Sequence, residues 1–305
     1  MFSMFRRVGL FLILNFVIVF TISMILRIFN IQPYIQQYGL DLKSLALFCF
    51  IWGMMGAFIS LLLSKTIAKW TLGVRVIDQN TSDYKLKYVY QVVKKQAHEL
   101  GIPVPEVGIF ETQLVNAFAT GPSKSNSLVA VSRGLLNQLS EEEIEAVIGH
   151  EMSHIANGDM VTMTLMQGVV NAFVMFLARV LAFALSNAGR SKDDQRSGYN
   201  GSFYLFTFLF EMIFMILGSM VIAAYSRYRE YRADFGGASL SSKRQMISAL
   251  STLEQVHDKA LPEGAAKSLD AFMIRGGSMK FLTLFASHPP IAKRIERLNQ
   301  HLELR

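Results

Sequence analysis

The chain has 305 residues, of which 51% are hydrophobic and 17% charged, with a formal net charge of +7. A soluble domain usually carries about 25% charged residues, so the composition argues against a simple soluble protein and points to a bilayer before any motif is read. The single cysteine, Cys49, excludes an internal disulfide and a cysteine-based zinc finger. The basic balance, with Lys and Arg flanking apolar stretches, fits anionic lipid and membrane topology better than nucleic acid.

Four segments, 8–28, 42–64, 160–186 and 203–225, are apolar and long enough to span, since a hydrocarbon core needs about 20 residues. The first follows Arg6 and Arg7. Its apolar run is longer than that of a signal peptide and no small-x-small cleavage pattern follows it, so it reads as an uncleaved anchor. The chain then divides into 1–64, an anchor with two crossings; 65–159, polar; 160–225, two further crossings; and 226–305, polar. Four crossings put both long polar pieces on the side of the N terminus. Arg6, Arg7, Lys65, Lys69, Arg75, Arg227, Arg229 and Arg232 flank the membrane there, which predicts that both termini and both polar pieces are cytoplasmic. Arg179, near the end of the third segment, and Glu211, near the start of the fourth, fall at similar depth in an antiparallel helix pair. Ionisable groups in hydrocarbon are paired or face water. These two either form an intramembrane pair, line a wet groove, or snorkel to the interface.

In the first polar piece the runs VGIF, VNAFAT and SLVAVS flank the turn-rich GPSKSN, which predicts a small sheet with a hairpin over 104–131. Ser140 with Glu143 three residues on is a capping box, so a helix starts there. Ile144, Val147, Ile148 and Ile155 give that helix an apolar stripe. It carries His150-Glu151-x-x-His154: two histidines on one face, one turn apart, able to reach one zinc, with Glu151 placed to act on its water as a general base. Asn157-Gly158 reads as the helix stop and Asp159 as the N-cap of the third membrane helix.

Two histidines do not complete a catalytic shell. His98, His257, His288 and His301 remain, and the pattern with a third histidine three residues beyond a glycine fails. A glutamate from a second helix is the other solution, and SRYREYRADFGGA (226–238) offers Glu230, with Asp234 one turn later as a partner for a ligand histidine. Taken alone, that segment reads first as a solvated juxtamembrane helix in which both acids pair with Arg227, Arg229 or Arg232.

The order and spacing of GHEMSHIANGD, the membrane segments, SRYREYRADFGGA and SHPPIAKRIERL closely resemble the HtpX family of bacterial membrane zinc metalloproteases of heat-shock quality control, within the wider group that includes the CaaX prenyl proteases. The likeness covers nearly the whole chain. It implies a mainly α integral membrane protein with four transmembrane helices and a cytoplasmic α+β zincin-like domain. It implies one Zn²⁺ per chain, held by His150, His154 and Glu230, with Glu151 as base and Asp234 in the family's E-x-x-x-D motif. It places His288 of the His-Pro-Pro segment near the developing oxyanion, with Arg294 in support, and makes Asn116, Ala117 and Phe118 part of a substrate-binding edge strand.

The activity so implied is an endopeptidase of misfolded or damaged membrane proteins and of unfolded chains, working in the bacterial inner membrane through zinc-activated water. His154 and Glu230 each lie about five or six residues beyond an apolar segment, about 10 Å at the helical rise. The zinc is therefore expected near the cytoplasmic surface of the bilayer. Competing readings are a processing peptidase for lipidated or particular membrane peptides, a scaffold with structural zinc, and a transporter. A closed four-ligand site would favour the scaffold. Nothing in the sequence calls for nucleic acid, and the oligomeric state is not encoded in any motif.

Overall fold

The computed structural model describes residues 35–36, 39–188, 201–259 and 284–301. The predicted crossing at 8–28 and residues 189–200 lie outside these residues, as do the side chains of His257 and His301. Among the described residues the elements are β1 (Ile35–Gln36), β2 (Gly39–Leu40), α1 (Leu42–Leu72), β3 (Arg75–Val76), α2 (Tyr84–Glu99), β4 (Glu106–Phe110), β5 (Ala117–Ser123), β6 (Asn126–Ser132), α3 (Arg133–Gln138), α4 (Glu141–Asn157), α5 (Asp159–Asn187), α6 (Gly201–Leu240), α7 (Lys243–Lys259) and α8 (Ile291–His301). Two compact units result, one of residues up to Phe58 with Leu165–Ile222, the other of Ile59–Thr164 with Ala223–Arg305.

The first unit is built from apolar helix. Among the described residues α1, α5 and α6 are the helices long and apolar enough to cross a membrane. They contain the second, third and fourth predicted segments, and each extends beyond its own, the third by one residue at either end. The helix α1 runs on past the predicted 64 to Leu72 because nothing breaks it before Gly73, whose φ of 62° is the left-handed conformation of a helix end. Leu45, Phe48, Cys49 and Met175 form the buried centre of this unit, while Leu47, Phe50, Phe173, Leu205 and Leu217 stay exposed, as lipid-facing side chains do. A Cβ on Gly53 would lie 2.7 Å from the Ala172 nitrogen, so α1 and α5 touch through backbone in the manner of small-residue membrane packing. Arg179 Nη1 donates to Glu211 Oε1 at 2.6 Å and to the Met175 carbonyl at 3.1 Å, and both charged side chains are buried.

The second unit has a four-stranded sheet in the order β3-β4-β6-β5. The strands β4 and β6 are parallel, and β3–β4 and β5–β6 antiparallel. Six of the seven residues of β6 are buried, the signature of a strand covered on both faces. One face carries Val107, Ile109, Val129 and Val131, which join Val89 and Val93 of α2, Ile144, Ile148 and Met152 of α4, and Met246 and Leu250 of α7 in one core.

The strand β5 is the sheet's edge, and the predicted hairpin is there with a shorter tip. Gly121-Pro122-Ser123 belong to β5, leaving Lys124 and Ser125 as the turn. A register shift between Thr120 and Ser123 accommodates them. Gly121 has φ 139°, and a Cβ there would lie 2.3 Å from the Asn126 carbonyl oxygen, so glycine makes the bulge and the edge position tolerates proline.

The capping box on α4 is formed. Ser140 Oγ accepts from the Glu143 N–H at 3.3 Å, and Glu143 Oε2 accepts from the Ser140 N–H at 3.0 Å. Glu143 Oε1 also accepts from Ser248 and Thr252 of α7, each at 2.7 Å, which ties α7 to the start of the motif helix. Burial pushes the Glu143 carboxyl upward, but the hydrogen bonds from Thr252, Ser140 and Ser248 outweigh it and hold it below the usual carboxylate range. Gly158, at φ 68°, ends α4 in the left-handed conformation.

Candidate metal centre

Helical spacing places His150 and His154 one turn apart on α4, and both are buried. Their rings stand edge to face with centroids 4.8 Å apart, and their Nε2 atoms are 3.2 Å apart. From α6, Glu230 completes the group. Its Oε2 lies 3.4 Å from His150 Nε2 and its Oε1 3.4 Å from His154 Nε2. Two helices meet closely here because glycine lines the crossing. A Cβ on Gly149 of α4 would stand 3.2 Å from Gly237 Cα of α6, and one on Gly236 would fall 2.1 Å from Ser153 Oγ.

The outer nitrogens of both imidazoles are occupied. His150 Nδ1 is 3.0 Å from Asp234 Oδ1, and Arg294 of α8 grips the same carboxylate through Nε at 2.8 Å and through a second, shorter bond from Nη2. His154 Nδ1 is 2.7 Å from Asp159 Oδ2, whose other oxygen accepts from Arg232 at 3.2 Å. Each histidine therefore heads a chain of carboxylate and arginine that turns its Nε2 lone pair inward, the usual outer support of a metal-binding imidazole. Asp159, expected as the N-cap of the following helix, is its first residue, and after the reversal at Gly158 its buried carboxylate is taken by His154 and Arg232.

The buried carboxylates dominate the electrostatics of the site. Burial lowers the His150 pKa, but Asp234 and then Glu230 overcome this and raise it to about 9. Burial likewise pushes Glu230 upward, and His150, His154 and His288 hold it far below the carboxylate range. Glu230 Oε1 is buried and accepts no hydrogen bond. Ligand atoms from His150, His154 and Glu230 all lie within 4.8 Å of one another. Tetrahedral zinc with bonds near 2.0–2.1 Å separates its ligand atoms by about 3.4 Å, close to the 3.2 and 3.4 Å distances in this triad. The donor set fits zinc.

A cavity of about 130 Å³ opens beside the triad, lined by His150, Glu151, Glu230, His288, Asn116 and Ala117 among others. Glu151 is half-buried and stands outside the ligand group. Asn116 and Ala117 reach this cavity at the start of β5. The side chain of Phe118 does not: pleating turns it to the opposite face, its ring 5.5 Å from that of Phe110. His288 is exposed, with Nδ1 2.8 Å from Glu230 Oε2. Arg294, expected beside His288 and the oxyanion, lines the same cavity, and its guanidinium grips both oxygens of the Asp234 carboxylate in a planar fork. Of the arginines offered as partners for Glu230, Arg229 lies 3.5 Å from Oε1 through Nη2, whereas Arg227 donates to the Leu284 and Ala286 carbonyls at 2.9 and 2.8 Å, holding the segment that presents His288.

Sequence reasoning missed Asp159 as a histidine partner and the Gly149–Gly237 crossing. The available signals were an acid directly after the α4 stop and a Gly-Gly pair two turns after Glu230.

Residues 84–302 match peptidase family M48, and residues 2–129 match the RDD family. The chain is 48% identical over 294 residues to the protein named Protease HtpX homolog of Paracidovorax citrulli, covering 96% of this chain and 98% of that one. It is 44% identical over 292 residues to Protease HtpX of Glaesserella parasuis, again covering 96% and 98%. The crystal structure of S. mikatae Ste24p superposes with a TM-score of 0.61 at 17% identity, over 97% of this chain and 65% of that one, and shows a shared fold.

Proposed function

The chain belongs to peptidase family M48, and on that premise we propose that it is an integral-membrane zinc endopeptidase cutting misfolded or damaged membrane proteins and unfolded chains at the cytoplasmic face of the bacterial inner membrane. The family and its relatives make it a membrane metalloprotease. The observation that carries the finer reading is the triad of His150, His154 and Glu230, its histidines backed by carboxylates, with Glu151 beside it in an open cleft.

Bound zinc supplies Lewis-acid polarisation of a peptide carbonyl and acidifies a water. Glu151 takes the proton of the attacking water on its carboxylate and delivers it to the leaving amine. Asp234 and Asp159 keep the two imidazoles in the tautomer that presents Nε2. His288 pins Glu230 Oε2 through Nδ1. In that tautomer a neutral His288 offers only a lone pair at Nε2, so a contact to the oxyanion requires its imidazolium.

An extended peptide adds by strand addition along the outer side of β5, which no other described strand occupies, at the segment Asn116, Ala117 and Phe118; Ala117 offers its main chain there, because the Asn116 N–H and C=O are both bonded to Ser132. Backbone pairing reads extension rather than sequence, which suits a protease of unfolded chains.

The test uses protein purified in detergent with chelator, then reloaded with zinc. The parent cleaves casein, whereas Glu151→Gln retains zinc and loses turnover by about 10²–10⁴-fold. Equal zinc content with equal cleavage in both would refute Glu151 as the base.

A further inference from the structure

The segment 111–116 links β4 to β5 and lends Val115 and Asn116 to the lining of the cleft. It is neither helix nor strand, so its backbone groups need partners from elsewhere. They find them at one corner, where β6 ends and α3 begins. Ser132, fully buried there, is the N-cap of α3. Its hydroxyl accepts from the Leu135 N–H and from the Asn116 N–H, each at 3.0 Å, and donates to the Leu114 carbonyl at 2.8 Å. Its own N–H donates to the Asn116 carbonyl at 2.9 Å. A serine hydroxyl has one hydrogen and two lone pairs. All three are engaged here, and every partner is main chain.

We propose that Ser132 is a positioning residue for substrate: its hydroxyl fixes the part of the cleft wall formed by Val115, Asn116, Ala117 and Leu135 before a peptide arrives. The inference rests on the protease reading above.

The hydroxyl joins neighbours of that wall and of no other. Val115, Asn116, Ala117 and Leu135 line the cavity, and Ser132 stands behind them, outside the lining. The same corner holds the segment at further points. The Gly134 N–H donates to the Thr112 carbonyl at 2.8 Å, and Gln138 Nε2 to the Gln113 carbonyl at 3.1 Å. A Cβ on Gly134 would fall 2.3 Å from the Gln113 carbonyl oxygen, so the segment lies directly against the start of α3. The metal triad is built elsewhere. His150, His154 and Glu230 come from α4 and α6, and their supporting partners are Asp234, Asp159 and His288.

These two facts separate substrate binding from metal binding. Without the hydroxyl the wall is ordered only when a peptide binds, which weakens binding. A wall that touches substrate and transition state alike changes KM and spares kcat. The net loss of about one hydrogen bond corresponds to about tenfold in KM.

The test uses the full-length, zinc-loaded protein in detergent. Ser132→Ala removes the hydroxyl and Ser132→Thr keeps it. By hydrogen exchange, residues 112–117 of Ser132→Ala should exchange about tenfold faster than in the parent, with α4 unchanged. On a quenched fluorescent unfolded peptide, KM should rise about tenfold while kcat and zinc affinity stay within about twofold of the parent. Ser132→Thr should return exchange and KM toward the parent. In a Glu151→Gln background, Ser132→Ala should weaken binding of the same peptide by about tenfold. If Ser132→Ala does not fold, Ser132→Cys takes its place, since a thiol fills the site with a weak donor and acceptor; the same shifts are expected in the same direction.

Unchanged exchange at 112–117, or faster exchange with unchanged KM, overturns the positioning role and leaves the protease reading standing. A joint loss of kcat and zinc affinity at constant KM also overturns it, because the effect would then lie at the metal. A parent that cuts nothing, while Ser132→Ala still weakens peptide binding to Glu151→Gln, refutes the protease reading and leaves the positioning role.

Discussion

The two carboxylates behind the ligand histidines differ in what their removal leaves behind. Replacing Asp159 by Ala deprives His154 Nδ1 of its partner at 2.7 Å and frees Arg232, whose side chain is 43% exposed and can turn to water. Stability should fall by about 1–3 kcal/mol, the price of one buried donor without a partner. Replacing Asp234 by Ala strips His150 Nδ1 and also strands the Arg294 guanidinium, whose side chain is only 10% exposed. An uncompensated buried charge costs about 3–5 kcal/mol.

Both changes release an imidazole from its tautomer, so zinc affinity should drop by about 10–100-fold in each. The assay pairs a chelator-competition measurement of zinc affinity with thermal unfolding of the metal-free proteins. Asp159→Ala should lose metal affinity with modest destabilisation, and Asp234→Ala should lose both heavily. Asp159→Asn, which keeps an acceptor, should recover part of the affinity. If Asp159→Ala binds zinc as the parent does, the assignment of its carboxylate to His154 is wrong. If both variants unfold alike, the burial argument fails.

Other contacts lead to further expected outcomes. Gly236→Ala puts a Cβ 2.6 Å from Ser153 Cβ, an overlap expected to cost about 1–3 kcal/mol. It should open the α4–α6 crossing and lower zinc occupancy, and Ser153→Gly in the same chain should restore part of both. Arg179→Gln and Glu211→Gln should show a coupling of about 0.5–3 kcal/mol in a double-mutant cycle of detergent stability. Strict additivity would mean that the pair contributes nothing. Glu143 has its folded-state pKa depressed, so its stabilisation is present above the unfolded value and is lost as pH falls through the folded one. The melting temperature of the parent should exceed that of Glu143→Gln near pH 6, with the gap narrowing toward pH 3. A constant gap would refute the assignment.

Much of the molecule is legible locally. The motif helix could be bounded from Ser140, Glu143 and Gly158, because capping chemistry acts within four residues of a helix end. The facing of His150 and His154 follows from 3.6 residues per turn. The membrane-length helices follow from runs of apolar residues, which need no partner to be recognised. Where an arrangement depended on a long-range contact, the residues left two readings open. Glu230 and Asp234, taken alone, looked more like partners of neighbouring arginines than like members of a metal site. Arg179 and Glu211 could have paired or snorkelled.

Tertiary structure alone decided that α6 crosses α4 at Gly149 and Gly237, which brings Glu230 within 3.4 Å of both imidazoles. It also decided that the chain reversal at Gly158 returns Asp159 to His154, and that Arg294 closes on Asp234. Periodicity and capping are properties of a few consecutive residues and are written in order along the chain. Which buried charge meets which is settled by how closely two helices can approach, and that depends on side chains far apart in sequence.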